Sequence, residues 1–163
     1  MAIVAFSFES NAQAQKFGHI NTDELLRVMP EIDSMQSKLQ AYGQDLASIL
    51  EEVQVEINKK EDEFSKNQET WSDVVKESKY RDILDQRRRL QEQQAEMQTK
   101  YNSEQQRLFA PIQEKVNKTI EKVAKANNLI YVFDIAAGNP IYFNESLSTD
   151  ILPMVKKELG ITK

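Results

Sequence analysis

Few residues in this chain could carry out chemistry, and their spacing decides against most of it. His19 is the only histidine and there is no cysteine. A metal centre or a histidine-based triad would have to be completed by carboxylates alone, without the second imidazole or thiolate that such sites use. Zero cysteines also exclude disulfides. Acidic neighbours such as Glu51-Glu52 lie in a charged helical stretch with no pocket to make one an acid and the other a base. Arg87-Arg88-Arg89 resembles an anion patch, but successive helical residues point about 100° apart, so the three cannot face one ligand. They read as a solvated charged face. The glycines at positions 18, 43, 138 and 160 are too scattered to cradle a phosphate. A net charge of -5 leaves no basic face for nucleic acid. Catalysis, ATP use, a bound cofactor or metal, and nucleic-acid binding all lack their residues.

What the chain does contain is helix. From Gln44 to Ala110 there is neither glycine nor proline, and strong helix formers crowd together. Apolar residues at Ile32, Met35, Leu39, Tyr42, Leu46, Ile49 and Val53 recur at the three-and-four spacing of a heptad seam. The next step, to Ile57, is four again, and two successive fours predict a locally unwound supercoil. A single helix from Pro30 to Asn127 would reach on the order of 145 Å, with nothing to bury its stripe. A fold back into two antiparallel helices of roughly 70 Å solves this. The break is placed at Asn67 to Asp73, where Thr70, Ser72 and Asp73 offer caps for a new start; Glu77 to Tyr80 is a second site for it.

The returning helix carries Ile83, Leu90, Met97, Tyr101, Leu108, Ile112, Val116, Ile120 and Val123, a sparse stripe between Asp85 and Arg107. Acid-before-base pairs four apart support it: Glu96 with Lys100, Glu114 with Lys118 and Glu121 with Lys125, and on the outgoing helix Glu56 with Lys60 and Asp62 with Lys66. Pro111 predicts a kink. At 40% hydrophobic and 29% charged residues, the composition suits an extended coiled rod better than a compact globule.

The flanks of this stretch are different. Residues 1–14 read as the remnant of a secretory signal, an apolar MAIVAFSF run closing on Ala12-Gln13-Ala14 with cleavage after Ala14, which implies export. Residues 15–30 and 128–163 form a body containing β structure, and 31–127 the helical hairpin. Phe17 to Asn21 predicts a short strand and Asp23 to Met29 a helix capped by Asn21 or Thr22. Leu129 to Phe133 and Pro140 to Phe143 predict a β-hairpin about a turn at 136–139, and a loop at 144–149 leads to a closing helix, Asp150 to Leu159, stopped by Gly160. A three-stranded sheet is marginal alone and leaves two open edges. Leu129 to Phe133 is apolar on both faces, so a homo-oligomer closing the sheets into a barrel resolves both problems. Phe17, Ile20, Ile130, Val132, Phe133, Ile141 and Phe143 are the residues assigned to that assembly. The fold class is therefore mostly α with a small β body and a long antiparallel helical hairpin projecting from it.

This order of signal, strand, short helix, long hairpin, β-hairpin and terminal helix resembles the Skp/OmpH family of periplasmic chaperones. The likeness spans Gln15 to Lys163. It is carried by Phe17-Gly18-His19-Ile20-Asn21, by Pro111-Ile112 with Lys115 to Ala126, and by Asp150-Ile151 ahead of Val155-Lys156-Lys157-Glu158-Leu159. The resemblance implies a homotrimer with a shared barrel, three helical tentacles around a cavity, and ATP-independent holding of unfolded outer-membrane proteins in the periplasm. The chain departs from the family at Leu152, where a Thr is usual after Asp-Ile, so Asp150 or Ser148 must cap the last helix. It is also acidic where the best-studied members are basic, which argues against contact with anionic lipid or lipopolysaccharide. Trp71, Val74, Val75 and Tyr80 near the tip, with Leu90, Met97 and Tyr101 along the arm, are the client-contact candidates; for Met97 and Tyr101 a place in the hairpin seam competes. The rival reading is a structural or adaptor coiled coil of the cell envelope, with uniform seam packing and one fixed partner.

Overall fold

The computed structural model of the chain describes residues 16–136 and 140–161. The expected signal and most of the expected turn at 136–139 lie outside them. In order the elements are β1 (Lys16–Ile20), α1 (Thr22–Arg27), α2 (Pro30–Asn67), α3 (Asp73–Ala126), β2 (Leu129–Asp134), β3 (Ser148–Asp150) and α4 (Leu152–Glu158). They form two compact units, one of Pro30–Gln113, the other of the described residues before Pro30 together with those from Glu114 on. The sequence places the end of the hairpin at 127. The second unit instead takes in the last turns of α3, because Val116, Thr119 and Val123 are buried there.

In that second unit, the body, β1 is the central strand: the sheet order is β2-β1-β3 and both pairings are parallel. This corrects the expected β-hairpin. Ile141 to Phe143 form no strand, and Ile141 is 99% exposed. The third strand is the short polar run Ser148-Thr149-Asp150, from the end of the expected loop into the expected first residue of the closing helix. Pro140 has no N–H to give a ladder, and two strands parallel to one central strand cannot be joined by a tight turn. They need a crossover of a dozen or so residues, and the chain between β2 and β3 is spent on it.

Side chains alternate across β1. Gly18 and Ile20 take the covered face, where Ile20, Leu25, Met29, Ile151 and Val155 are almost wholly buried. Space favours glycine at position 18, since a Cβ there would stand 2.7 Å from Leu129 Cδ1, which would have to shift, and 3.3 Å from the Thr149 carbonyl oxygen. Local polar bonds sit at the helix starts: Asn21 caps α1 as predicted, whereas α4 starts at Leu152, with Ile151 and not Asp150 or Ser148 in the N-cap position. Asn21 Oδ1 accepts from the Glu24 N–H at 3.0 Å, capping α1, and Asp150 Oδ1 accepts from the Leu152 N–H at 2.9 Å at the start of α4. Asp134 accepts from the N–H of Thr22 and of Ala136 and from the Thr22 hydroxyl, tying the end of β2 to the start of α1. Asn128, at φ 54°, turns the chain from α3 into β2, and Gly160, at φ 74°, follows α4.

In the other unit α2 begins at Pro30, where a missing N–H costs nothing. It ends at Asn67, whose carbonyl accepts the Thr70 hydroxyl at 2.8 Å, and α3 starts at Asp73, the predicted break. The helices run antiparallel, as their cross-helix pairs establish: Gly43 lies against Tyr101, Lys60 binds Asp82 at 2.6 Å and Lys79 binds Glu63 at 3.0 Å. Leu39, Leu46 and Ile57 are buried along α2, with Leu50 and Val53 half-buried between them. Ile49, expected in the seam, is 44% exposed. From Leu46 the steps to Leu50, Val53 and Ile57 are four, three and four, a regular heptad, so the expected doubled four falls away. α3 continues through Pro111.

Candidate functional site

The candidate site is a pair of surfaces. The first is the face of the sheet opposite the body's core. Strand alternation puts Phe17 and His19 of β1 there beside Tyr131 and Phe133 of β2, in register. Phe17 stacks on Tyr131 with ring centroids 6.2 Å apart and meets Phe133 at 6.4 Å. Tyr131 remains 61% exposed. Phe143 lies across His19 at 4.7 Å, and a cavity of about 300 Å³ opens between Phe17, Phe133, Phe143, Tyr142 and Leu147. His19 Nδ1 is 2.9 Å from Ser148 Oγ, which joins β1 to β3 and gives the lone histidine a structural place. Of the assembly candidates, Phe17 and Phe133 are on this face, Phe143 borders it and Ile141 is 99% exposed. Ile130 and Val132 alternate to the other face of β2, and Ile20 is spent in the body's own core.

The second surface is the helix pair. At its turn Phe64 touches Trp71 edge-on at 5.9 Å and Tyr80 at 6.0 Å, while Lys79 Nζ lies 5.5 Å from the Trp71 ring. Val74 is 79% exposed, and Val75 and Tyr80 also face solvent. Leu90 is different: it is buried in the seam and 8% exposed. Met97 and Tyr101 are half-buried and line a groove of about 300 Å³ with Gly43, Leu46, Ala47, Leu50, Gln94 and Gln98. The structure thus brings Trp71 and Tyr80 together on Phe64, leaves Val74 and Val75 exposed, and places Met97 and Tyr101 at the groove.

Sequence reasoning passed over the polar members of this seam. Gln86, Gln93 and Glu104 are half-buried at the spacing set by Ile83, Leu90, Met97 and Leu108, and that spacing was the available signal. The Gln93 Oε1 is buried without a hydrogen-bond partner. Glu104 is gripped by Arg107 at 2.6 Å, whose hydrogen bonds hold its carboxyl below the usual carboxylate range. The predicted pairs Glu96–Lys100, Glu114–Lys118 and Glu121–Lys125 are formed. Lys60 instead crosses to Asp82, and Arg87 crosses to Glu61 at 2.7 Å while Arg88 bonds Asp85, so the arginine triplet disperses. Among the described residues no cluster of histidine, cysteine or carboxylate side chains could hold a metal ion, and no helix is long and apolar enough to cross a membrane.

A small parallel sheet with an aromatic face and a helix of 54 residues that pairs with an antiparallel helical partner define a mostly helical fold with a small sheet. The sequence profile of the family described as outer membrane protein (OmpH-like) matches residues 16–159, and the chain belongs to that family. A solved structure from Caulobacter crescentus CB15, of a candidate OmpH-like outer membrane chaperone, shares the fold with a TM-score of 0.74 at 13% identity. The match covers 96% of this chain and 90% of that one. No curated protein matches the sequence.

Proposed function

We propose that this chain is the subunit of a homotrimeric, ATP-independent periplasmic holdase, whose paired helices enclose unfolded outer-membrane proteins and keep them from aggregating. Membership of the OmpH-like family over residues 16–159 carries the reading. The uncovered aromatic face of the sheet supports the assembly part of it. Phe17, Tyr131 and Phe133 are apolar rings left in contact with water, and burying such area against other copies is worth about 25 cal/mol per Å². The open outer edge of β2 gives the same copies a ladder to extend. In this reading Trp71, Val74, Val75 and Tyr80 at the turn are client contacts, and Leu90 serves by holding the helices together. Many weak contacts spread over a large surface suit clients of varied sequence.

A second reading, a coiled-coil spacer or adaptor of the cell envelope, draws on the three ion pairs that bridge α2 and α3, which favour a stiff rod. One experiment separates the two. The export-processed form, from Gln15 on, is mixed without nucleotide with an outer-membrane β-barrel protein diluted from urea. Light scattering follows aggregation, and mass in solution is measured alongside. A trimer that keeps the client soluble at near-stoichiometric ratio is the expected result. A trimer that leaves every such client aggregating would transfer the case to the adaptor.

A further inference from the structure

The two flanks of the α2–α3 pair differ in chemistry. Leu46 on α2 and Leu90 on α3 mark the direction in which each helix faces the other. At about 100° per residue, Gly43, Ala47, Leu50, Gln54 and Asn58 of α2 then fall on one flank. Gln91, Gln94, Gln98, Asn102 and Gln105 of α3 fall on the same flank. The groove confirms this placement, being lined jointly by Gly43, Ala47, Leu50, Gln94 and Gln98. From Gly43 to Asn58 and from Gln91 to Gln105, that flank carries no charged side chain. Over the same length the other flank carries Asp45, Glu52 and Glu56 on α2 and Glu96 and Lys100 on α3, with Lys100 bound to Glu96 at 2.8 Å, and the ion pair of Arg87 with Glu61 bounds the uncharged stretch.

The amides of the uncharged flank are exposed and ordered. Gln54 donates to Asn58 at 2.9 Å and Gln98 to Asn102 at 3.0 Å, each pair one helical turn apart. A carboxamide has two donors and a carbonyl acceptor, so such a bond leaves capacity of both kinds. That is the complement of a peptide backbone, which presents one N–H and one C=O at every residue regardless of sequence. A charged residue would do worse here, because covering it with a chain removes its hydration without a counter-charge. The groove beside Gly43 supplies the apolar part, about 300 Å³ between Leu46, Leu50, Met97 and Tyr101. It exists partly because Gly43 has no side chain; a Cβ there would come within 3.1 Å of the Tyr101 ring.

We propose that this uncharged flank is the docking surface for an extended, unfolded polypeptide. Its main-chain N–H and C=O groups meet the glutamine and asparagine amides, and a large apolar side chain enters the groove at Gly43. The proposal rests on the holdase reading above and locates its binding face. It differs from a charge-driven mode, which would use the opposite flank.

The test measures binding of a urea-diluted outer-membrane β-barrel protein to the full chain and to two variants of equal added charge. Gln94→Glu with Gln98→Glu charges the groove flank; Ser103→Glu with Gln106→Glu charges exposed positions on the side of α3 turned away from α2. All four sites are exposed on one helix, so circular dichroism should find both variants folded. The first variant is expected to bind about tenfold more weakly, because two carboxylates must be desolvated under the client, and the second within about twofold of the unaltered chain. The loss should persist at about 0.5 M salt, where screening lengths are a few Å. An unaltered chain that binds, with both variants equally affected or with the loss abolished by salt, overturns the docking surface alone. An unaltered chain that binds no such client overturns the holdase reading and this inference with it.

Discussion

The body and the helix pair are held together by different means. Six large side chains are almost wholly buried among the described residues, and five of them, Ile20, Leu25, Met29, Ile151 and Val155, lie in the body; Ile57 alone lies in the helix pair. The body is a small hydrophobic core closed by caps and by the Asp134 bonds to Thr22. The pair relies on a narrow seam interrupted by Gln86, Gln93 and Glu104, and on exposed ion pairs across it. A fully buried leucine contributes about 1.5–3 kcal/mol, an exposed ion pair under about 1 kcal/mol. One unit is thus specified by packing, and the other tolerates polar groups and a groove.

The contrast can be tested by removing equal mass from each unit. Leu25→Ala in the body should cost about 3–4 kcal/mol, while Leu90→Ala in the seam, beside water that can enter, should cost about 2. Trp71 is the only tryptophan and lies at the turn between α2 and α3, so its fluorescence reports the helix pair, while hydrogen exchange of β1 and β2 reports the body. Equal losses would break the distinction. Gly18→Ala should cost about 2 kcal/mol by thermal melting, since its Cβ would press on Leu129 Cδ1 at 2.7 Å and on the Thr149 carbonyl at 3.3 Å. Gln93→Leu should move the other way, stabilising the pair by about 1 kcal/mol in denaturant titration, because it replaces an unpartnered buried carbonyl with an apolar group. A destabilised variant would mean that this oxygen holds a bound water. Asp82→Asn, which frees Lys60, should cost well under about 1 kcal/mol and lose its effect in high salt.

The smallest effect concerns pH. Glu104, Glu114 and Glu121 are held below the usual carboxylate range, chiefly by hydrogen bonds from Arg107, Lys118 and Lys125. Their unfolded forms bind protons more readily than their folded forms. The contribution is therefore fully present above the ordinary glutamate pKa of about 4.3 and lost as pH falls through the folded values. A slight decline in helicity below about pH 4, with none between neutral pH and that point, is the expected titration by circular dichroism. A decline that begins near neutrality would have to come from other groups.

Legibility in the sequence followed the range of the interactions. The strand at Phe17, the cap at Asn21, the break between Asn67 and Asp73 and the stop at Gly160 rest on neighbours a few residues apart, and each stands where local chemistry puts it. Family membership was legible as well, because it lies in the order and spacing of such local pieces. The seam was read one position off at Ile49, since Ile49 and Leu50 are both apolar and only the approach of Tyr101 to Gly43 decides which side of α2 turns inward. The third strand was missed outright. Ile141-Tyr142-Phe143 has the composition of a strand and Ser148-Thr149-Asp150 does not, yet the latter pairs with β1.

Residue types and spacing were enough to establish a long glycine-free helical stretch, its fold back and a short β segment at each end. Those features depend on backbone propensity and on periodicity, which any stretch carries within itself. Tertiary structure alone decided that both outer strands run parallel to β1, that among the described residues its aromatic face keeps Tyr131 exposed, that the last turns of α3 belong to the body, and that a stretch of one flank of the helix pair carries no charge beside a groove. These depend on which segments meet across more than a hundred residues of chain, or on the rotation of one helix against another. A hydrogen-bond ladder or a packed seam settles such choices only once both partners are present.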